Sequence, residues 1–213
     1  MSRSSLLASL LLLGSIGITL PVAAAPVLSD DFSDSRSGWP NMAATRDSDL
    51  GFAVYTDSGQ YQLTPVKDGV FGFIAAPQQA AGGDVRIESD LFLYAGIGAG
   101  AAGLGCRHQD HSNFYAFMVR GDAVLMILKV AHGEVTPLAQ GKVDALLPGT
   151  VDTRVTVECT GDSLRMTARG GKAITARDAT FRDGGSGVFV IGEKMAGTSV
   201  MFDNFALSTA GGR

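Results

Sequence analysis

The chain has 213 residues, a formal net charge of −4 at pH 7 and 18% charged residues. A mildly acidic chain lacks the basic face that a nucleic-acid partner requires, so we expect no nucleic-acid binding. The 28 glycines and the scarcity of long helical patterns indicate many turns and an all-β fold.

The N-terminal segment has the pattern of a secretory signal peptide. Arg3 precedes an apolar run from Leu6 to Leu20, and small residues follow as far as Ala24. This run is shorter than the ~20 apolar residues that span a bilayer, and we find no membrane span later in the sequence. We therefore predict a signal peptide over residues 1–24 and export to the periplasm or the extracellular space.

The remaining residues, about 190, are enough for one well-packed domain. We place this domain at residues 25–207, ahead of a frayed tail at 208–213. In chain order the predicted strands are GFAVYTD, QYQLTPV, GVFGFIAAP, DVRIESDLFLYA, AAGLGCRHQ, NFYAFMVRG, AVLMILKVA, EVTPLAQ, VDTRVTVECT, SLRMTARG, KAITARD, SGVFVIG and TSVMFDNFAL. Short strands separated by Gly, Asn and Asp turns predict a two-sheet antiparallel sandwich.

The strand DVRIESDLFLYA shows the clearest alternation. Its apolar face is formed by Val85, Ile87, Leu91 and Leu93, and acidic and basic residues occupy the other face. This period of two is typical of a strand with one face in the core and one in water.

Cys106 and Cys159 are the two cysteines of the chain. In an exported protein an even number of cysteines indicates a disulfide. Strand alternation places Cys106 on the face of Leu104, and Cys159 on the face of Val157, so both thiols point toward apolar surroundings. We predict a Cys106–Cys159 disulfide, with two unpaired core thiols as the alternative.

Several stretches follow one another in a recognisable order. They are DDFSDSRSGWP, YTDSGQY, CRHQDHSNFYAF, VECTGDSLRMTARG, FRDGGSGVFV and MFDNFAL. Together they resemble an exported bacterial family of the concanavalin A-like lectin/glucanase group, related to the 3-keto-disaccharide hydrolase domain and to domains of unknown function. The resemblance implies a jelly-roll sandwich, but it does not specify a ligand, because this fold hosts lectins, enzymes and adhesive modules. His108 stands where the family more often has Tyr, which removes an aromatic ring on which a sugar could stack.

The resemblance, and the lack of a complete catalytic set, imply a non-catalytic binding module of the cell envelope or periplasm with a glycan ligand. We expect the glycan on the concave sheet face or its loops. The candidate ligand-binding residues are Glu88, Asp90, Arg107, Tyr115 and Lys129. Lys129 is a charge inside an apolar strand, so it requires water or a partner. A protein-interaction or structural module is an alternative, and the oligomeric state stays open.

Glu88-x-Asp90 is the closest approach to a catalytic motif. Glucanases of this broad fold carry a further Glu on the same strand face, but Leu91 to Leu93 follow Asp90 here. Asp84 lies four residues before Glu88, about 13 Å along a strand, which is too far for either route of glycoside hydrolysis. We expect no catalysis, and a glycoside or 3-keto-sugar hydrolase or lyase is the alternative.

The last predicted strand carries a candidate metal ligand. In several sandwiches of this group, an acid on the last strand binds calcium together with groups from the N-terminal strand. Asp203 and Asp31 are the residues that could meet in this way, with carbonyl oxygens completing the six to eight ligands of calcium. The alternative is a pair of exposed acids.

Two conspicuous features favour structural roles. Trp39, the only tryptophan, lies in a Ser-Gly-Trp-Pro turn, and we expect it to plug the core rather than stack on a sugar. The tripeptide from Arg120 to Asp122 matches an adhesion signal, but Gly-Asp is ordinary turn chemistry, so we expect a strand end and a β-turn.

Overall fold

The computed structural model describes residues 26–42, 50–69, 71–95, 100–192 and 197–210. Within these ranges the chain forms fourteen strands and no helix. The strands are β1 (Pro26–Asp30), β2 (Leu50–Tyr55), β3 (Tyr61–Pro65), β4 (Phe71–Ala75), β5 (Val85–Tyr94), β6 (Ala101–Asp110), β7 (Asn113–Arg120), β8 (Val124–Ala131), β9 (Glu134–Lys142), β10 (Thr150–Thr160), β11 (Ser163–Ala168), β12 (Ile174–Arg177), β13 (Gly185–Ile191) and β14 (Ser199–Thr209).

The strands form two antiparallel sheets. The eight-stranded sheet, sheet A, has the order β12-β11-β10-β5-β14-β3-β2, and β1 pairs with β14 beside β3. The six-stranded sheet, sheet B, has the order β4-β13-β6-β7-β8-β9. The predicted all-β, two-sheet antiparallel jelly-roll sandwich is therefore confirmed.

Strand β14 joins both ends of the domain. One side of β14 pairs with β5, and the other side pairs first with β3 and then with β1. Asn204 has a φ of 48° at the bulge between these two pairings. Ser208 and Thr209 pair with β5, so β14 continues two residues beyond Leu207, where we had ended the domain.

The core lies between the two sheets, and the alternation in the sequence decides which side chains enter it. Val85, Ile87, Leu91 and Leu93 of β5 are each at most 1% exposed, as predicted, and Ser89 is buried on the same face. The alternate residues Arg86, Glu88, Asp90 and Phe92 are partly exposed on the outer face of sheet A. Burial of each such side chain contributes about 1.5–3 kcal/mol to folding.

The Cys106–Cys159 disulfide is present. The two Cα atoms are 6.9 Å apart, with Cys106 on β6 of sheet B and Cys159 on β10 of sheet A. Both residues are fully buried. The bond therefore crosses the core and links the two sheets covalently.

Trp39 plugs one region of the core, as predicted. Its side chain is 3% exposed and packs edge-on against Phe205, with ring centroids 5.0 Å apart. The indole Nε1 donates a hydrogen bond of 2.9 Å to Asp30 Oδ2, so the single polar group of the ring is satisfied. Trp39 is thus unable to serve as an exposed sugar platform.

The two outer faces of the sandwich differ in polarity. The outer face of sheet B carries an apolar cluster that includes Phe73, Phe114 and Phe189. The ring of His108 stacks on Phe73 at 4.0 Å, and burial lowers the pKa of His108 below its ordinary value. The polar outer face is that of sheet A, where the acidic and basic residues of β5 lie.

Candidate functional site

The five predicted ligand-binding residues do not share one surface. Glu88 and Asp90 lie on the outer face of sheet A. Arg107 is 1% exposed and Tyr115 is fully buried, and Lys129 pairs with a carboxylate beside Tyr115. Only the first two are therefore placed to meet a ligand on an open sheet face.

Arg107 serves the interior of the domain. A φ of 53° interrupts the alternation of β6 at this residue and turns its side chain inward. Its guanidinium donates to the backbone oxygens of Gly83 and Phe181, at 3.0 and 2.9 Å, and to Asp84 Oδ1 at 3.1 Å. These three hydrogen bonds tie β6 to the segments at Gly83–Asp84 and Phe181, so the side chain has a structural function.

Tyr115 and Lys129 meet at Asp178. The Tyr115 hydroxyl donates to Asp178 Oδ1 at 2.5 Å, and Lys129 Nζ lies 2.9 Å from Asp178 Oδ2. Burial alone would raise the pKa of Asp178, but hydrogen bonds from Thr180, Tyr115 and Lys129 outweigh it and hold the pKa below its usual range. The charge on Lys129, which lies within an otherwise apolar strand, is therefore paired with the carboxylate of Asp178.

Glu88 belongs to an ion-pair network on the outer face of sheet A. Arg86 Nη2 lies 3.0 Å from Glu88 Oε1, and Arg86 Nη1 lies 2.5 Å from Glu158 Oε1. Arg165 Nη1 reaches the other oxygen of Glu158 at 3.0 Å. Burial alone would raise the pKa of Glu88, but hydrogen bonds from Arg86 and Thr156 outweigh this effect and lower the pKa below its ordinary value. The carboxylate is therefore ionised, and both of its oxygens already have partners within the protein.

Asp90 lies at the centre of the same face. In the sheet register it stands between Asp203 of β14 and Arg154 of β10. Asp90 Oδ1 is 3.2 Å from Arg154 Nη1 and 3.6 Å from Arg169 Nη2. Asn204 Nδ2 donates to Asp90 Oδ2 at 2.9 Å. Two cations and an amide therefore fix this carboxylate.

Phe92 occupies the next outward position of β5. It stands between Met201 of β14 and Asp152 of β10, and Tyr94, 52% exposed, follows two residues later. Around this point the face forms a groove of about 490 Å³. The groove is lined by Gln60, Asp90, Leu91, Phe92, Asp152, Arg169, Met201 and Asp203. An apolar floor is thus bordered by carboxylates, one guanidinium and one amide.

Asp203 borders this groove and lies near Asp31. Burial raises the pKa of Asp203, and the negative charges of Asp90 and Asp31 raise it further, against a hydrogen bond from the Asn204 N–H. Asp31 accepts hydrogen bonds from the Ser33 N–H and hydroxyl. Among the described residues no group of three or more His, Cys, Asp or Glu side chains could hold a metal ion. Calcium at Asp31 and Asp203 stays a prediction.

The tripeptide at 120–122 pairs internally. Arg120 Nη2 donates to Asp122 Oδ2 at 2.9 Å, and the Ala123 N–H donates to the Arg120 carbonyl to close the turn that joins β7 and β8. The two charged side chains therefore neutralise each other, as expected of a strand end and turn.

Sequence reasoning missed Phe92 and four other residues that line the groove, which are Gln60, Asp152, Arg169 and Met201. These four come from four different segments, and only the register between strands brings them beside Phe92 and Asp90. Phe92 had a signal in the sequence, because the alternation of β5 places it on the same outward face as Asp90.

Comparisons with known proteins agree with this architecture. No family model and no curated protein sequence matches the chain. Carbohydrate-binding module CBM66 from Bacillus subtilis is similar, with a TM-score of 0.60 and 25% identity over 81% of this chain and 96% of that chain. A protein of unknown function with a galectin-like fold, also from Bacillus subtilis, has a TM-score of 0.61 and 12% identity, with coverages of 89% and 98%.

A third similar structure was solved with a bound ligand. The exoplasmic/lumenal domain of VIP36, in a form bound to Ca²⁺ and Man3GlcNAc, has a TM-score of 0.57 and 16% identity, covering 76% of this chain and 82% of that chain. The similarities support the concanavalin A-like fold, and the relation to 3-keto-disaccharide hydrolases stays a prediction. In the described part of the chain, no helix has the length and hydropathy needed to cross a membrane.

Proposed function

We propose that the protein is an exported, non-catalytic module that binds a glycan in the groove around Phe92. The observation that carries this proposal is the position of Phe92 between Met201 and Asp152, directly after Asp90 on the same outward face. The similarity to a carbohydrate-binding module of almost the same extent supports it.

The chemistry of the groove suits a sugar ring. One face of a pyranose or furanose is apolar C–H surface, which packs on an aromatic ring, and its hydroxyls donate and accept hydrogen bonds at the rim. Asp152 and Asp203 accept hydrogen bonds from hydroxyls, and Arg169 donates them. Tyr94, farther along the strand, extends the platform for a longer chain of sugars.

Export is part of the proposal. The signal-peptide pattern lies in residues outside those the structure describes, so its support comes from the sequence. A buried disulfide between the two sheets is consistent with an oxidising compartment, since such bonds are rare in a reducing cytosol.

A retaining glycoside hydrolase is the second candidate function. Asp203 stands directly opposite Asp90. Residues so paired have Cβ atoms about 4.5–5.5 Å apart, so their carboxyl groups are near enough to adopt the ~5–5.5 Å separation that retaining enzymes use. The raised pKa of Asp203 suits a general acid, and Asp90, held by Arg154 and Arg169, would be the nucleophile. We rank binding first because Arg154 and Asn204 already occupy both oxygens of Asp90.

A glycan array separates these functions. We expect the purified protein to bind one class of glycan saturably and Phe92→Ala to abolish that binding, with an unchanged circular dichroism spectrum. Glu134→Gln, an exposed carboxylate on β9 of sheet B, is the matched control and should bind as the wild type does. Absence of saturable binding by the folded protein would refute the proposal. Release of reducing ends that disappears in Asp203→Asn would instead establish the hydrolase.

A further inference from the structure

The charges in the groove are not balanced. Asp90 is paired with Arg154 and Arg169, whereas Asp152 and Asp203 have no ion pair among the described residues. Among the described residues, Arg169 is the single cationic side chain that lines the groove, against the three carboxylates of Asp90, Asp152 and Asp203. Counting Arg154 beside Asp90 as well, the described side chains leave the groove with an excess of negative charge.

The two uncompensated carboxylates lie on opposite sides of the aromatic floor. Asp152 is the cross-strand neighbour of Phe92 on β10, so their Cβ atoms are about 5 Å apart. Asp203 is on β14, diagonal to Phe92, at about 7–8 Å. A sugar stacked on Phe92 therefore has a carboxylate within reach of substituents on either side of its ring.

A neutral hydroxyl and a protonated amine differ in what they do at this position. A hydroxyl donates one hydrogen bond and leaves the repulsion between Asp203 and Asp90 in place. An ammonium group donates up to three hydrogen bonds and neutralises the excess charge, and charge-assisted hydrogen bonds are about twice as strong as neutral ones. A metal cation is a poorer fit, because the described residues hold no group of three or more metal-ligating side chains.

We propose that the groove selects glycans that carry free amino groups, such as oligosaccharides of β-1,4-linked glucosamine, over N-acetylated or purely neutral glycans. This inference rests on the proposed function and specifies the ligand class of the same groove. Asp152 and Asp203 provide the selectivity for amines. Phe92 provides a stacking surface on which amine-bearing, N-acetylated and neutral sugars can all pack.

The test uses three oligosaccharides of equal length that differ at carbon 2 of each sugar: free amine, N-acetyl and hydroxyl. Isothermal titration at about pH 6, where a primary amine is protonated, measures each dissociation constant. We expect the amine form to bind about tenfold more tightly than the hydroxyl form. This ratio corresponds to the combined free energy of two partly exposed ion pairs, one with Asp152 and one with Asp203. The preference should shrink in high salt.

Variants assign the preference to residues. Asp152→Asn and Asp203→Asn keep the size of the side chain and remove its charge, so each should reduce the tenfold ratio to about threefold, and the double variant to about one. Glu134→Gln should leave the ratio unchanged. Spermine, a polyamine without a sugar ring, should fail to displace the bound oligosaccharide at equal concentration.

The outcomes separate this inference from the proposed function. Equal affinity for all three oligosaccharides would overturn the amine selectivity while leaving glycan binding established. Binding of none of them, together with a negative glycan array, would overturn both. A preference for the amine that persists in the double variant, or that spermine abolishes, would mean general attraction to an acidic protein and would also overturn the inference.

Discussion

Asp203 lies directly opposite Asp90 across the antiparallel pair of β14 and β5, and both side chains border the groove on sheet A. Like charges placed opposite each other on neighbouring strands destabilise a sheet. Arg154 neutralises Asp90, but burial and the charges of Asp90 and Asp31 raise the pKa of Asp203. The domain therefore keeps an unfavourable charge at the position where we propose that a ligand binds.

Asp203→Asn should accordingly stabilise the protein at neutral pH. A carboxyl with a raised pKa in the folded state opposes folding at pH values above its ordinary pKa, and this effect disappears once the group is protonated in both states. We expect a gain of about 0.5 kcal/mol in the free energy of unfolding at pH 7, and no gain near pH 3. Urea unfolding at both pH values measures it. Asp144→Asn, in an exposed loop, is the control, and an equal gain there would contradict our explanation.

The disulfide between sheets predicts a large loss of stability on reduction. The two cysteines are separated by 53 residues, and closing a loop of this length stabilises a protein by about 4 kcal/mol in the chain-entropy model. Replacing both cysteines by Ala should lower the free energy of unfolding by about this amount, and dithiothreitol should have the same effect on the wild type but none on the variant. A reductant effect on the variant would show that another process is responsible.

Arg107 should be among the most sensitive positions outside the apolar core. Arg107→Ala leaves the carbonyls of Gly83 and Phe181 without their donor and leaves Asp84 without its cation, so we expect a loss of about 3 kcal/mol. Thermal unfolding measures the loss. Arg177→Ala removes an exposed ion pair with Asp162 and should change stability by less than about 1 kcal/mol. Similar losses in both variants would contradict the structural function of Arg107.

The lowered pKa of Asp178 predicts that part of the free energy of unfolding is lost at acidic pH. Its pKa is lowered in the folded state, so its contribution to stability is complete above the ordinary value of 3.8 and is lost as the pH falls below that value toward the lowered one. Asp178→Asn should reduce stability by about 2 kcal/mol at pH 7, and the difference from the wild type should narrow at acidic pH. Tyr115→Phe, which removes one donor and keeps the ring, should show the same narrowing with a smaller loss. A difference that is constant with pH would refute this assignment.

Local patterns predicted the parts of the fold that depend on a single strand. The alternation around Ile87 gave the correct core face of β5, and the alternation around Cys106 and Cys159 gave the disulfide. The same reasoning failed for Arg107, because the left-handed backbone conformation of this residue turns its side chain to the opposite face of the strand. One such residue is enough to invert a prediction based on a period of two.

The groove could be predicted only in part, for a different reason. Phe92 and Asp90 share a strand, and their common face follows from the sequence. Asp152 and Met201 reach Phe92 only through the register of three strands, and that register is set by pairing between segments more than 50 residues apart. The sequence likewise predicts that Lys129 requires water or a partner, but it does not identify that partner, because Asp178 lies 49 residues later in the chain.

The position of β14 sets an order on how the chain can fold. Strands β1, β3 and β5 all pair with β14, so none of the three has its full set of hydrogen bonds until Ser199–Thr209 has been synthesised. Contacts between strands far apart in sequence, such as β1 and β14, form late, since they carry a large loop-closure entropy. A growing chain would thus remain without its complete eight-stranded sheet until β14 has been synthesised. A shortened product that lacks β14 would expose the edges of three strands at once and should aggregate rather than fold.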